Sequence, residues 1–186
     1  MTYLLRRSAA ILSLTLIAAP AFGQDTGPAV HGIPVKTAIE GAQASLAACA
    51  GHRHITVLVV DEAGLPIAML SDNGASALTQ RLAASKARIA AKLKMSSAEA
   101  ASRYKSDDQL MFQLVMDSQM GIPLPGGLPI MVNGVSRGAI AVSGASGGFH
   151  DEQCTQPGLE RLQQLLAAKS RARSRGNARS SLGSCE

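Results

Sequence analysis

Hydrophobic spacing divides the chain into helical and extended stretches. Val35, Ile39, Ala42, Leu46 and Cys49 recur at helical intervals behind Pro34, a residue tolerated at a helix start, and Gly51 ends the run. Ile55 to Val60 is almost unbroken apolar sequence rich in β-branched residues, the pattern of a strand covered on both faces. Asp61-Glu62-Ala63-Gly64 then supplies turn chemistry before a second strand, Leu65 to Leu70. The pair predicts a hairpin, with Pro66 marking an edge or a strand end.

From Ser76 to Lys94 the chain is rich in Ala, Leu, Lys and Arg, and Leu78, Leu82, Ile89 and Leu93 form one stripe, which predicts a long helix. Shorter helices are expected near Ser97 to Arg103 and Asp108 to Met120. The Gly/Pro loop Gly121 to Gly127 precedes a strand, Leu128 to Val132. Asn133-Gly134 joins it to another, Val135 to Ser143, and Asn-Gly between apolar runs is a strong hairpin signal. After the loop Gly144 to His150 comes a last helix carrying Leu159, Leu162, Leu165 and Leu166. The order α-ββ-ααα-ββ-α predicts an α+β domain, a small antiparallel sheet flanked by helices.

The N-terminus falls outside that pattern. Arg6 and Arg7 precede an apolar run, Ala9 to Ala19, and Pro20 precedes Ala21-Phe22-Gly23. These are the parts of a secretory signal, expected to occupy 1–23 with cleavage after Gly23. A membrane anchor would need about 18 or more unbroken apolar residues. The expected organisation is therefore a signal (1–23), a flexible leader (24–34), one domain (35–168) and a disordered basic tail (169–186). The expected location is periplasmic or secreted. No other stretch is long and apolar enough to span a bilayer, so no stable membrane insertion is expected.

The formal net charge of +5 changes meaning once it is located. Arg6 and Arg7 leave with the signal, and Lys169, Arg171, Arg173, Arg175 and Arg179 belong to the tail, so residues 24–168 are close to neutral. The aromatics of that segment are Tyr104, Phe112 and Phe149, too few for a nucleic-acid stacking platform, and nucleic acid is excluded as a partner. The tail lacks the apolar residues that offset ordering entropy. It is either a solvated end or a contact for anionic lipid or a partner.

Candidate chemistry is sparse. Cys49 and Cys154 can pair in an oxidising compartment or remain separate buried thiols, with Cys185 left over. His52 and His54 flank Arg53. In an extended segment both imidazoles point the same way and can reach one metal or haem iron; the alternative is surface histidines. His150 beside Asp151 is either an exposed metal ligand or part of a helix start, and His31 lies in the leader. Lys86 falls within or beside the apolar stripe of the long helix, where it either snorkels or faces a pocket, and spacing alone favours snorkelling. Gly126-Gly127 and the glycine-rich run from Ser143 to Gly148 match no phosphate-binding consensus, and tight turns explain them. Neither a nucleophile elbow nor a His-Glu-x-x-His helix is present, so no catalytic residue is assigned.

Four segments carry a family resemblance: Val59-Val60-Asp61-Glu62-Ala63-Gly64; Ala84-Ser85-Lys86-Ala87; Pro125-Gly126-Gly127-Leu128-Pro129-Ile130; and Gly134 followed by Gly138-Ala139-Ile140-Ala141-Val142-Ser143-Gly144. In this order and spacing they resemble the GlcG/HbpS, or haem-degrading domain, family from about Thr37 to Leu166. The resemblance implies a profilin-like α+β fold, a homo-oligomer, and haem or a related small ligand in a pocket walled by Lys86, Gly126, Gly127 and Gly144. Some members of that family are exported haem-binding proteins, one type acting beside a sensor kinase. An exported haem-binding role with a possible sensor or transport partner is therefore expected. A haem-degrading enzyme and a non-catalytic interaction module are the alternatives. Two positions depart from the family pattern. Ala141 replaces a usual glycine, and Pro157 predicts a kink in the last helix or its start there, which bears on the position of Cys154.

Overall fold

The computed structural model describes residues 32–52 and 54–182, with side chains through 172. The signal segment, His31, Arg53 and Cys185 lie outside the described residues. Helix α1 (Val35–Ala48) leads into strands β1 (Thr56–Val60) and β2 (Pro66–Ser71). Helices α2 (Ala77–Leu93), α3 (Ser97–Arg103) and α4 (Asp108–Met116) follow, then strands β3 (Gly127–Val132) and β4 (Val135–Ser143), and finally α5 (Gly148–Leu182). The strands form one antiparallel sheet in the order β2-β1-β4-β3.

Both hairpins turn where their sequences dictate. Asp61 Oδ1 accepts from the N–H groups of Ala63 and Leu65, closing the first turn. Asn133 and Gly134 both adopt positive φ, 51° and 75°, as a two-residue turn with left-handed central residues requires. The ladder between β1 and β4 pairs Thr56 with Ser143 and Val60 with Ala139, so the sheet joins the two hairpins through its centre.

All five β1 residues are buried, because helices cover both faces of the sheet. Val57, Val59, Ile140 and Val142 pack with α1 and α5 residues including Ala38, Ala42, Leu159 and Leu162. Alternate residues Leu58, Val60, Ala139 and Ala141 pack against Ala83, Ala87, Ala90 and Ala91 of α2. A third, smaller cluster places Ile89 with Ala100, Leu110, Leu114 and Met120 under α3 and α4. Among the described residues no helix is long and apolar enough to cross a membrane.

Four local expectations are corrected. The α2 face on the sheet is made of alanines, whose small side chains let the helix lie close, whereas Leu78 of the expected stripe is exposed. Helix α4 stops at Met116 because Asp117 takes an extended conformation and binds Lys92 and the Gln119 N–H instead. Pro157 lies inside α5 and does not begin it. Proline removes a helical hydrogen bond, but its neighbours are held by tertiary contacts: Thr155 Oγ1 donates to the Gly126 carbonyl at 2.8 Å, and Leu159 and Leu162 enter the core. The expected disordered tail instead continues α5 through Leu182. Once a helix is nucleated and anchored, adding residues such as Ala, Arg and Lys is inexpensive.

Candidate functional site

The site is assembled where the ends of β4 and the 121–127 loop meet α2 and the start of α5. On α2, Lys86 stands between Ala83 and Ala87 of the sheet-facing surface and is 2% exposed. Its ammonium stays inside, at the inner end of the pocket, instead of extending to the surface, so the snorkelling expectation is overturned. Its Nζ lies 2.5 Å from Asp151 Oδ2 and donates to the Val142 carbonyl at 3.2 Å. The other Asp151 oxygen accepts from the Ala145 N–H at 2.8 Å. Asp151 occupies the first turn of α5, where the helix dipole favours a negative charge. An ammonium has three donor hydrogens, so this arrangement leaves one for a further acceptor.

The glycines have a steric role around this pair. A Cβ on Gly126, whose φ is 123°, would stand 2.8 Å from the Asp151 Cβ and 3.0 Å from Lys86 Nζ. A Cβ on Gly127 would overlap the Lys86 carbonyl. These two residues therefore back the ion pair from outside the cavity. Gly144, with a φ of 108°, does line the cavity and packs against the His54 backbone.

Beside the pair lies an open cavity of about 370 Å³. Leu78, Leu82, Leu124 and Pro125 give it apolar walls. Thr79, Ser143, Lys86 and Asp151 give it a polar floor, and Gly144, Gly147 and Gly148 bring backbone to its rim. This size and mixture suit a small organic ligand, for which pockets run from about 300 to 1,000 Å³. A second groove of about 280 Å³, between α4 and the 121–123 loop, is lined mainly by apolar residues including Met111, Leu114, Val115 and Ile122.

The histidines are distributed differently from the expectation. His54 has φ 70°, outside the extended region that the same-side argument for His52 and His54 assumed. The His54 Nδ1 is 2.8 Å from the Asn73 carbonyl oxygen. His52 instead meets His150, with ring centroids 5.6 Å apart. Among the described residues no three of His, Cys, Asp and Glu are placed to hold a metal ion. Cys49, the C-cap of α1, and Cys154 of α5 form a disulfide with Cα atoms 5.5 Å apart.

Asp151 is the residue of the candidate site that sequence reasoning left without a role. The one local signal was an acid in the first turn of a helix behind a glycine-rich loop. Its partner is 65 positions away, and nothing in the local pattern links the two.

These features define a sheet-and-helix α+β domain with a pocket at the end of β4. The chain belongs to the HbpS-like family: the family model for haem degrading protein HbpS-like matches residues 33–160. No curated protein matches the sequence. Among solved structures, a double mutant of Streptomyces reticuli HbpS is 26% identical, covering 80% of this chain and 97% of its own, with a TM-score of 0.61. The Klebsiella pneumoniae protein ORFY is 24% identical over 75% of this chain and 96% of its own, with a TM-score of 0.64. A solved complex of PduOC with haem shares the fold at 16% identity, covering 70% of this chain and 94% of its own, with a TM-score of 0.61. Family membership associates the chain with haem-related function.

Proposed function

We propose that this is an exported haem-binding protein, acting in haem handling or sensing, with the Lys86–Asp151 cavity as its ligand site. The observation that carries the reading is the buried Lys86 ammonium at the floor of an apolar-walled pocket. Haem presents a broad apolar face and two carboxylates. Leu78, Leu82, Leu124 and Pro125 would pack on the ring, while Lys86, Thr79 and Ser143 would receive a carboxylate. The residues thus fit the porphyrin and its acid groups. None of the lining residues is His, Cys or Met, so the fit does not extend to an iron ligand from these walls. Bound iron would supply the redox and spectroscopic chemistry; the protein would supply apolar burial and hydrogen-bond donors for a carboxylate, since the Lys86 charge is already balanced by Asp151.

The test is a titration of purified protein with haemin and with metal-free protoporphyrin. Saturable binding of both, weakened by Leu78→Glu, is the expected result. Leu78 is 55% exposed, so that substitution perturbs the pocket wall without entering the core. Binding that is absent, or indifferent to Leu78→Glu, rejects the assignment. Unchanged binding by His54→Ala is also expected, because that ring is engaged with Asn73.

The family description itself favours a second reading, haem degradation. Repeated turnover of haemin with a reductant and oxygen, insensitive to catalase, would establish it over binding alone. Export rests on the basic and apolar N-terminal segment and accords with the Cys49–Cys154 disulfide. The mass of the protein recovered from the periplasm or medium tests cleavage after Gly23. A homo-oligomer is also part of the proposal, with Phe112, Val115, Met116 and Ile122, all more than half exposed, as the surface for a second copy.

A further inference from the structure

The junction between α1 and α5 combines two short ligand patterns that the haem pocket does not use. Past the C-cap of α1, the His52 N–H donates to the Cys49 carbonyl at 2.8 Å, so residues 49 and 52 share one turn. On α5, His150 and Cys154 are four positions apart and share one helix face. The two patterns, Cys-x2-His and His-x3-Cys, face each other at both levels. The cysteines are bonded, and the histidine ring centroids are 5.6 Å apart. Asp151 is turned away from this junction into its ion pair with Lys86, which leaves the four side chains as a separate group.

We propose that, when the disulfide is reduced, Cys49, His52, His150 and Cys154 bind Zn2+ or a similar thiophilic divalent cation as a Cys2His2 site. In the oxidised chain both sulfurs are committed to each other and no three of His, Cys, Asp and Glu among the described residues are placed to hold a metal ion, so the site forms only once the sulfurs separate. Reduction by a dithiol transfers two electrons and two protons to the disulfide, giving two thiols and oxidising the dithiol to its own disulfide. Metal binding then releases both thiol protons, and two thiolates and two neutral imidazoles complete a tetrahedral set. The intervals of two and three residues fall within the ranges that separate paired ligands in closed zinc sites, although here each pair mixes one Cys with one His.

Cys49 and Cys154 are 1% and 5% exposed, so their sulfurs form the buried side of the site. His52 is half-buried and His150 exposed, which leaves an entry path from solvent. The same junction between α1 and α5 would be closed by a covalent bond in an oxidising compartment and by a metal ion in a reducing one. This inference does not rest on the haem reading, and its assay contains no haem.

The experiment uses the chain with Cys185→Ser, so that Cys49 and Cys154 are the thiols present, and Co2+ as a spectroscopic stand-in for Zn2+. The expected result after reduction is one Co2+ per chain, with thiolate-to-cobalt charge transfer and tetrahedral d–d absorption, both displaced by Zn2+. The oxidised protein should show neither. Cys154→Ser should remove most of the charge-transfer band. An outer-shell partner alone is worth about 10- to 100-fold in metal affinity, so His52→Ala with His150→Ala should weaken binding by at least about tenfold. Zn2+ should also protect both thiols from alkylation in the parent and lose that effect in the double-histidine variant. Circular dichroism of the reduced protein should show its helices retained. Absence of thiolate-to-cobalt absorption, or absorption and protection indifferent to both histidine substitutions, overturns the proposal. Metal binding by an unfolded reduced chain overturns it as well.

Discussion

Lys86 on α2 and Asp151 on α5, 65 positions apart in sequence, form a buried ion pair with 2.5 Å between Nζ and Oδ2. Each partner has a further backbone contact, to the Val142 carbonyl and the Ala145 N–H. The pair therefore ties α2, the end of β4 and the start of α5 together beneath the cavity.

Breaking that pair from one side should be severe. Lys86→Met leaves the Asp151 carboxylate buried without its cation and is expected to cost about 3–5 kcal/mol. Replacing both, with Lys86→Met and Asp151→Leu, should restore much of the loss, since paired buried charges gain little over apolar packing. Urea unfolding of the two single variants and the double variant measures this.

The Cys49–Cys154 disulfide closes a sequence separation of 105 residues. Cys49→Ser with Cys154→Ser is expected to lower stability by about 2–5 kcal/mol, mainly through the freer unfolded chain. Thermal unfolding of parent and variant, each with and without reductant, checks it. Reductant should move the parent toward the variant and leave the variant unchanged.

Asp107 caps α4 by accepting from the Leu110 N–H and also pairs with Arg103. These contacts, the cap first, hold its carboxyl below the ordinary 3.8. A lowered carboxylate contributes stability that is present above its unfolded value and lost as pH falls through the folded one. The start of α4 should therefore hold above that ordinary value and loosen as the solution becomes more acid. NMR titration of the Asp107 carboxyl and the Leu110 amide should show one shared transition, absent in Asp107→Ala.

The exposed apolar face of α4 makes the oligomer testable. Phe112→Ser with Val115→Asp alters residues that are 64% and 69% exposed, so the fold should persist. Light scattering is expected to show a multiple of the chain mass for the parent and a smaller species for the variant. Equal masses for the two would remove this face from the interface.

Much of the fold was legible in sequence because it depends on local rules. The apolar run of β1, Asn133-Gly134 and the Ser97–Arg103 helix occur where spacing and turn chemistry placed them. Local rules failed where distant groups decided the outcome. Pro157 is held within α5 by contacts of Thr155 and Leu159, and α2 turns alanines rather than its leucine stripe to the sheet. At the site, sequence singled out Lys86 and the glycines but not the carboxylate that completes them. It associated His52 with His54, whereas His54 lies against the Asn73 carbonyl and His52 against His150.

By itself, the sequence determined the strands, the hairpin turns and the existence of an α+β domain, because hydrophobic period and turn propensity act over a few neighbouring residues. Only the tertiary structure decided that Lys86 is buried, that Asp151 neutralises it, and that Cys49, His52, His150 and Cys154 meet at one junction. Those relations depend on how α2 and α5 dock across the sheet. Docking brings together charges, thiols and imidazoles that are far apart along the chain.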